Sequence, residues 1–348
     1  MDFSITVVTC NRAQSLVQGL NALAGQDFDL SRCEIIVADN GSTDDTKQVA
    51  ENFKGKFPNF TYLFDGRPGQ MVGWHRALEI AQGEITCFID DDAEPQPTWL
   101  TGLADAYRHQ VVGMATGPIE LVYESAPPDW LDSMKLGEPG SQTLPFLGML
   151  DCGTSIKDIP VNFVWGTNFS IRRDLLLDIG GFHPGAMPAS LLHFYGDGEV
   201  HVGRGVADRG FKTLYHPLAG VRHHIPEARM TLAGVSAKFH TTAFARSFQT
   251  LRQLGDAYPV PTAEEVREIA RRYFADPVKA PADVFDAIVE GLTDGFTKHL
   301  SAFTGDPMFR DWVLRENYLD LDSCYTHPAL TEYLQSGAGA KDWRRGED

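Results

Sequence analysis

Four short apolar runs alternate with amphipathic stretches across the first ninety residues, and this order constrains the fold more than any other feature of the chain. Residues 5–8, 34–38, 60–64 and 85–89 read as strands, being short, β-branched and bounded by turn residues. Residues 13–23, the stretch from the caps Ser42-Thr43-Asp44 to 53, and residues 72–81 carry helical signals between them. A βαβαβαβ order implies an α/β fold, Rossmann-like, with a mostly parallel central sheet flanked by helices. In such sheets ligands bind beyond the carboxyl ends of the strands. Polar residues gather at three of those ends: Thr9, Asn11 and Arg12, then Asp39, Asn40 and Ser42, then Asp90, Asp91 and Asp92. The topology predicts that the three sets converge on one crevice. Three adjacent acids repel one another, and at a strand end they suit a hard divalent cation, which takes oxygen ligands and can in turn hold a diphosphate.

Beyond residue 100 the pattern loosens. Residues 120–162 are rich in Pro, Gly and acids and read as irregular loops. A second ordered block runs from 164 to 224. From 236 the period is helical, over 237–254, 263–274, 281–292 and 307–318. The expected division is therefore a domain over 1–235 and a helical C-terminal extension over 236–348, with a mobile tail after 337. Hydrophobic residues make up 43% of the 348, which suffices for a full core. A formal charge of −17 argues against broad binding to nucleic acid or anionic lipid, though not against a local basic patch. Five scattered cysteines without a CxxC pair exclude the usual zinc patterns. No window of eighteen apolar residues occurs, so no transmembrane segment is expected, which leaves room only for peripheral membrane contact. The start lacks the marks of a signal peptide, so a cytoplasmic protein is expected.

Several segments in order carry a family resemblance. Val7-Val8-Thr9-Cys10-Asn11-Arg12, the run from Glu34 to Asp44, Phe88-Ile89-Asp90-Asp91-Asp92, Trp165-Gly166-Thr167-Asn168, Gly180-Gly181-Phe182, Gly196-Asp197-Gly198-Glu199, and His223 before Pro226 resemble the GT-A glycosyltransferases of family 2. The resemblance covers about residues 3–231. It implies a nucleotide-sugar donor, UDP-linked as is commonest in the family, a divalent metal (Mn2+ or Mg2+), and transfer to an acceptor hydroxyl with inversion. The acceptor class stays open between a glycan, a lipid-linked sugar and a protein.

By that resemblance Asp92 and His223 are the metal ligands, and a late His favours manganese over magnesium. Asp90 and Asp91 lie near the ribose and nucleotide. Asp39 contacts the base, although Asp39-Asn40-Gly41-Ser42 also reads as an ordinary turn. Thr9, Asn11, Arg12 and Asn40 complete the donor contacts. The segment from Gly69 to Arg76 departs from the family, with Trp74 and His75 standing where an Arg and an Asn are common; Arg76 keeps reach of a phosphate. Trp165 and Gly166 fall beside the acceptor. Glu199 is the expected general base and Asp197 the second candidate or an acceptor contact, for an inverting displacement needs a carboxylate that takes the acceptor proton. If extended, the two side chains would share a face. Arg229 reads either as a partner of the leaving diphosphate or as a surface arginine. Lys238, Arg246 and Arg252 read as a solvated basic face of a helix. Two other functions fit less well: a nucleotidyltransferase, which would want a glycine-rich phosphate loop after the first strand, and a non-catalytic nucleotide-sugar binding protein, which would not need Asp197, Glu199 and His223.

Overall fold

The computed structural model describes residues 1–336, so the tail after 337 lies outside the described residues. The four expected strands form: β1 (Phe3–Thr9), β2 (Cys33–Asp39), β3 (Phe60–Phe64) and β4 (Ile85–Asp90). They pair in parallel in the order β3-β2-β1-β4. The sheet continues to eight strands through Phe169–Arg172, Val112–Thr116, Lys212–Tyr215 and Lys157–Asp158. Phe169–Arg172 runs antiparallel to β4, which makes the sheet mixed at that side.

The alternation of side chains along each strand sorts the core into two faces. Ile5 and Val7 of β1, Ile35 and Val37 of β2, and Cys87 and Ile89 of β4 pack with Leu16, Leu20 and Leu23 of helix α1 (Ala13–Ala24). Val8, Ala38 and Phe88 point the other way, onto Met71, Val72 and Trp74 of helix α3 (Gln70–Ile80). Helix α2 (Thr46–Phe53) adds Ala50 and Phe53 to the first face. Burial on both sides is why the strands read as unbroken apolar runs.

Phe182 anchors the second face. Its ring centroid lies 4.4 Å from that of Trp74, 4.9 Å from Phe88 and 5.4 Å from Phe169. Phe182→Ala is expected to cost about 3–5 kcal/mol, the range for emptying a buried aromatic site, read as a lowered denaturation midpoint in urea.

Residues 120–162 are not the irregular loops that composition suggested. Leu136–Glu138, Ser141–Leu144 and Met149–Leu150 join Ile119–Tyr123, Val221–Ile225 and Ala93–Pro95 in a second, six-stranded sheet. Strands of two to four residues are too short to show alternation. One side of this sheet is covered by helices: Leu144, Phe146 and Ile225 share a core with Val235 and Phe239.

The C-terminal helices form as their period requires, with two longer than expected: Leu232–Leu254 and Ala282–Gly305. They lie in close contact because Gly291 has no side chain; a Cβ there would stand 2.2 Å from the Ser236 carbonyl oxygen. Residues on either side of position 235 share apolar core, since Val8, Phe88 and Trp74 belong to one cluster with Phe248, Phe309, Trp312 and Tyr318. His75 helps join them. Its Nδ1 lies 2.9 Å from the Tyr318 carbonyl and its Nε2 accepts from the Phe182 N–H, which fixes a neutral ring whose pKa burial pulls down to about 4. Among the described residues no helix is long and apolar enough to cross a membrane.

Candidate active site

The polar ends of β1 and β4 meet as the topology predicts. The Thr9 hydroxyl donates to Asp91 Oδ2 at 2.8 Å. Arg12 Nη1 reaches Asp91 Oδ1 at 3.0 Å and Asp92 Oδ2 at 2.6 Å. Asp90 accepts from the Gln70 side chain at 2.8 Å and from the Thr167 hydroxyl at 3.0 Å. Burial raises the pKa of Asp91 against the pull of Arg12. Asp92 differs: burial pushes it up, but His223, Arg229 and Arg12 together outweigh burial and hold it below the usual carboxylate range.

The second sheet brings His223 to the triplet. Val221–Ile225 pairs antiparallel with Ala93–Pro95, His223 opposite Ala93, and the His224 N–H donates to the Asp92 carbonyl at 3.0 Å. This register sets His223 Nε2 3.6 Å from Asp92 Oδ1. Asp92 Oδ1 is buried and has no hydrogen-bond partner. A buried acceptor left so is costly. Burial lowers the pKa of His223 against the pull of Asp92, and the unprotonated ring is the form that can ligate a metal. A carboxylate oxygen and an imidazole nitrogen at this separation could together hold a divalent cation. Among the described residues no group of three or more His, Cys, Asp or Glu forms a full cage. The remaining positions would fall to diphosphate and water, as is usual for such ions at phosphates.

Thr9, Gln70, the three acids, Thr167 and His223 line a cavity of about 500 Å³, with Arg12 behind the acids and outside the lining. Trp74, Trp165 and Gly166 form part of its wall, and Arg229 and Lys238 enter from the C-terminal side. Glu199 opens the helix Glu199–Asp208 and also lines the cavity. Its Oε1 accepts a long hydrogen bond from the Gly166 N–H, 3.4 Å, and burial raises its pKa.

Not every expected residue comes into the cavity. Asp197 turns inward, away from it, and is bound by His183 Nδ1 at 2.5 Å and by Arg204. The cause is Gly198, whose φ of 48° and ψ of −120° break the extended path that would have put both acids on one face. Asp39 sits at the end of β2, accepting from the Ser42 N–H and the Tyr62 hydroxyl, both at 2.7 Å. Asn40 beside it donates to the Arg67 carbonyl at 3.3 Å and keeps a buried Oδ1 without a partner. Asn11, at φ 53°, accepts from the Thr43 N–H and so ties the ends of β1 and β2 together. Arg76 stands apart: it is 39% exposed and pairs with Glu79 and Asp65 at the surface.

The basic helix face divides in a way the sequence did not reveal. Lys238 lines the cavity, whereas Arg252 donates to the carbonyls of Val313 and Arg315 and Arg246 reaches the Tyr273 hydroxyl. Gln70 and Thr167 were also missed as partners of Asp90. Thr167 lies within the Trp165-Gly166-Thr167-Asn168 segment that carries the family resemblance, which is the signal for it; Gln70 lies in the segment that departs from the family.

Comparison with known proteins fits this geometry. The profile described as glycosyl transferase family 2 matches residues 4–180, just over half of the 348-residue chain. Glycosyltransferase AglE of Haloferax volcanii is 25% identical over 219 residues, which are 62% of this chain and 65% of that protein. The chain thus spans a little under two thirds of that relative's length. Succinoglycan biosynthesis protein ExoM of Rhizobium meliloti is 25% identical over 262 residues, 73% of this chain and 78% of that protein. Among solved structures, the mannosyltransferase PcManGT from Pyrobaculum calidifontis, in complex with GDP-Man and Mn2+, aligns with a TM-score of 0.51 at 16% identity, over 97% of this chain and 84% of that one. The fold is thus GT-A, and the chain belongs to glycosyltransferase family 2.

Proposed function

We propose that this glycosyltransferase moves a sugar from a UDP-linked donor to an acceptor hydroxyl with inversion at the anomeric carbon, with Glu199 as general base. One observation carries the reading: a single cavity holds the Asp92–His223 pair, 3.6 Å apart, together with the Glu199 carboxylate. A divalent cation held by Asp92 and His223 would offset charge on the leaving diphosphate. Arg229, whose guanidinium stands 3.8 Å from Asp92, is placed to add to that stabilisation. Asp90 and Asp91 are held by Gln70, Thr167, Thr9 and Arg12 in fixed positions for the ribose and nucleotide. Thr9, which lines the cavity, and Asp39, Asn40 and Asn11 at the adjoining ends of β1 and β2 are assigned to the nucleotide in this reading. Trp165 and Gly166 present a wall for the acceptor, where an indole face suits the apolar side of a sugar ring. The acceptor oxygen attacks the anomeric carbon, the bond from that carbon to the diphosphate breaks, and the hydroxyl proton passes to Glu199. Asp197 is not offered as the base, because both its oxygens are already engaged.

The acceptor is a glycan, lipid-linked sugar or protein, and a cytoplasmic site with peripheral membrane contact is consistent with the absence of a spanning helix among the described residues. The test is calorimetric binding and hydrolysis of a panel of nucleotide sugars with and without manganese. Manganese-dependent binding of one UDP-sugar, with slow release of UDP, is the expected result. Tight binding of a nucleoside triphosphate, with no nucleotide sugar bound, would overturn the reading in favour of nucleotidyl transfer.

A further inference from the structure

We propose that His183, Asp197 and Arg204 form a clamp that positions Glu199, so that Asp197 acts through the base and not as one. The inference rests on the assignment of Glu199 above. The Asp197 side chain is 1% exposed. A carboxylate so buried is expensive unless paired on both oxygens, and here it is: His183 Nδ1 holds Oδ1 at 2.5 Å and Arg204 holds Oδ2. Arg204 stands on the helix that Glu199 opens, so Asp197 pulls that helix back toward the loop it leaves. His201 of the same helix stacks on His183, with ring centroids 3.7 Å apart and planes 13° from parallel.

The backbone repeats the constraint. The N–H groups of Gly196 and Gly198 both donate to the Pro184 carbonyl, at 3.0 and 3.3 Å, and the His183 N–H reaches the Gly198 carbonyl at 3.4 Å. The Val200 N–H donates to the Asp197 carbonyl at 2.9 Å. Gly198 supplies the sharp turn between them; no atom lies where its Cβ would be, so the need is for its positive φ and not for space. Behind the clamp His183 rests against Phe248 at 5.3 Å and Tyr318 at 5.6 Å, so the C-terminal helices brace it. Two adjoining loops, one helix and the C-terminal layer thus fix the bearing on which Glu199 enters the cavity, while none of the three clamp residues lines it.

Such a clamp has a distinct kinetic mark. Misplacing a catalytic group by 1 Å can cost about 100-fold in rate. Arg204 is the residue to change, being 40% exposed; since its loss leaves a buried Asp197 oxygen unpaired, kinetics are read on protein whose circular dichroism matches the wild type. Arg204→Ala is expected to lower turnover of the nucleotide sugar about 10- to 100-fold, with KM for that donor and manganese-dependent UDP affinity unchanged. Arg204→Lys should recover most of the rate. Asp197→Asn, which keeps the shape but loses the charge, should fall in kcat in the same way. Wild-type turnover in Arg204→Ala would overturn the clamp, as would loss of UDP binding in step with turnover. Glu199→Gln run beside them separates the two readings: if it stays active, the base assignment fails and the clamp with it, whereas an inactive Glu199→Gln beside a fully active Arg204→Ala sinks the clamp alone.

Discussion

Replacing Glu199 by glutamine is expected to lower donor turnover by about 10²- to 10⁴-fold, the usual worth of a positioned general base, while manganese-dependent UDP binding persists. Glutamine has the same shape and can still accept from the Gly166 N–H, so the cavity wall is kept. Only the proton acceptor is lost. The direction of the pKa shift adds two further expectations. Burial raises Glu199, offset only in part by its own and Gly166 backbone N–H groups and by Lys238. The base works when deprotonated, so the acid limb of kcat/KM should fall at a pH above the ordinary carboxylate value of 4.5. Stability follows the opposite sign. A carboxyl whose folded pKa is raised favours folding while protonated, and that favour is lost as pH rises through the folded pKa. At any pH above the folded pKa the wild type carries a buried charge at a cost, which Gln removes. Glu199→Gln should melt at or above the wild-type temperature at pH 7, while being the least active variant of the cavity wall. A variant that lost both activity and stability would point to a structural role instead.

The parts of the molecule that the sequence revealed are those whose side chains repeat. β1, β2 and β4 are buried on both faces, and their unbroken apolar runs could be read to within two residues at each end. The strand ends then followed from topology, and so did the meeting of Thr9 and Arg12 with the triplet. The second sheet had no such signal. Its strands between residues 136 and 150 are two to four residues long and gain their order from the helices that cover them, which lie more than eighty residues away in the chain. Single side chains were harder still. The spacing of Asp197 and Glu199 predicts a shared face only if Gly198 is extended, and glycine is the one residue for which that assumption is weakest. Arg76 and Lys238 exchanged expectations for a similar reason: each stands on a helix whose orientation is decided by distant packing, His75 on Tyr318 in the first case and Val235 and Phe239 on the second sheet in the other.

Asp92→Ala separates binding from chemistry in the opposite sense to Glu199→Gln. The manganese-dependent part of UDP binding should vanish, a loss of about 100-fold or more in affinity, equivalent to about 2.7 kcal/mol. The reason lies in how the three acids are spent. Asp90 is engaged by Gln70 and Thr167, and Asp91 by Thr9 and Arg12. Asp92 alone keeps a buried oxygen without a partner, and that oxygen faces His223. Neither neighbour can substitute for it without giving up its own hydrogen bonds. Removing Asp92 also leaves Arg12 and Arg229 without a carboxylate they share, so added positive charge in the pocket becomes harder to hold. Asp91→Asn is the matched control. It keeps an acceptor for Thr9 and weakens only the pair with Arg12, so manganese dependence should survive it. Calorimetric titration of UDP into each variant, with and without manganese, reads both outcomes directly. Equal loss in Asp91→Asn and Asp92→Ala would mean that the triplet acts as an undivided acidic patch, and the assignment of the metal to Asp92 and His223 would fall.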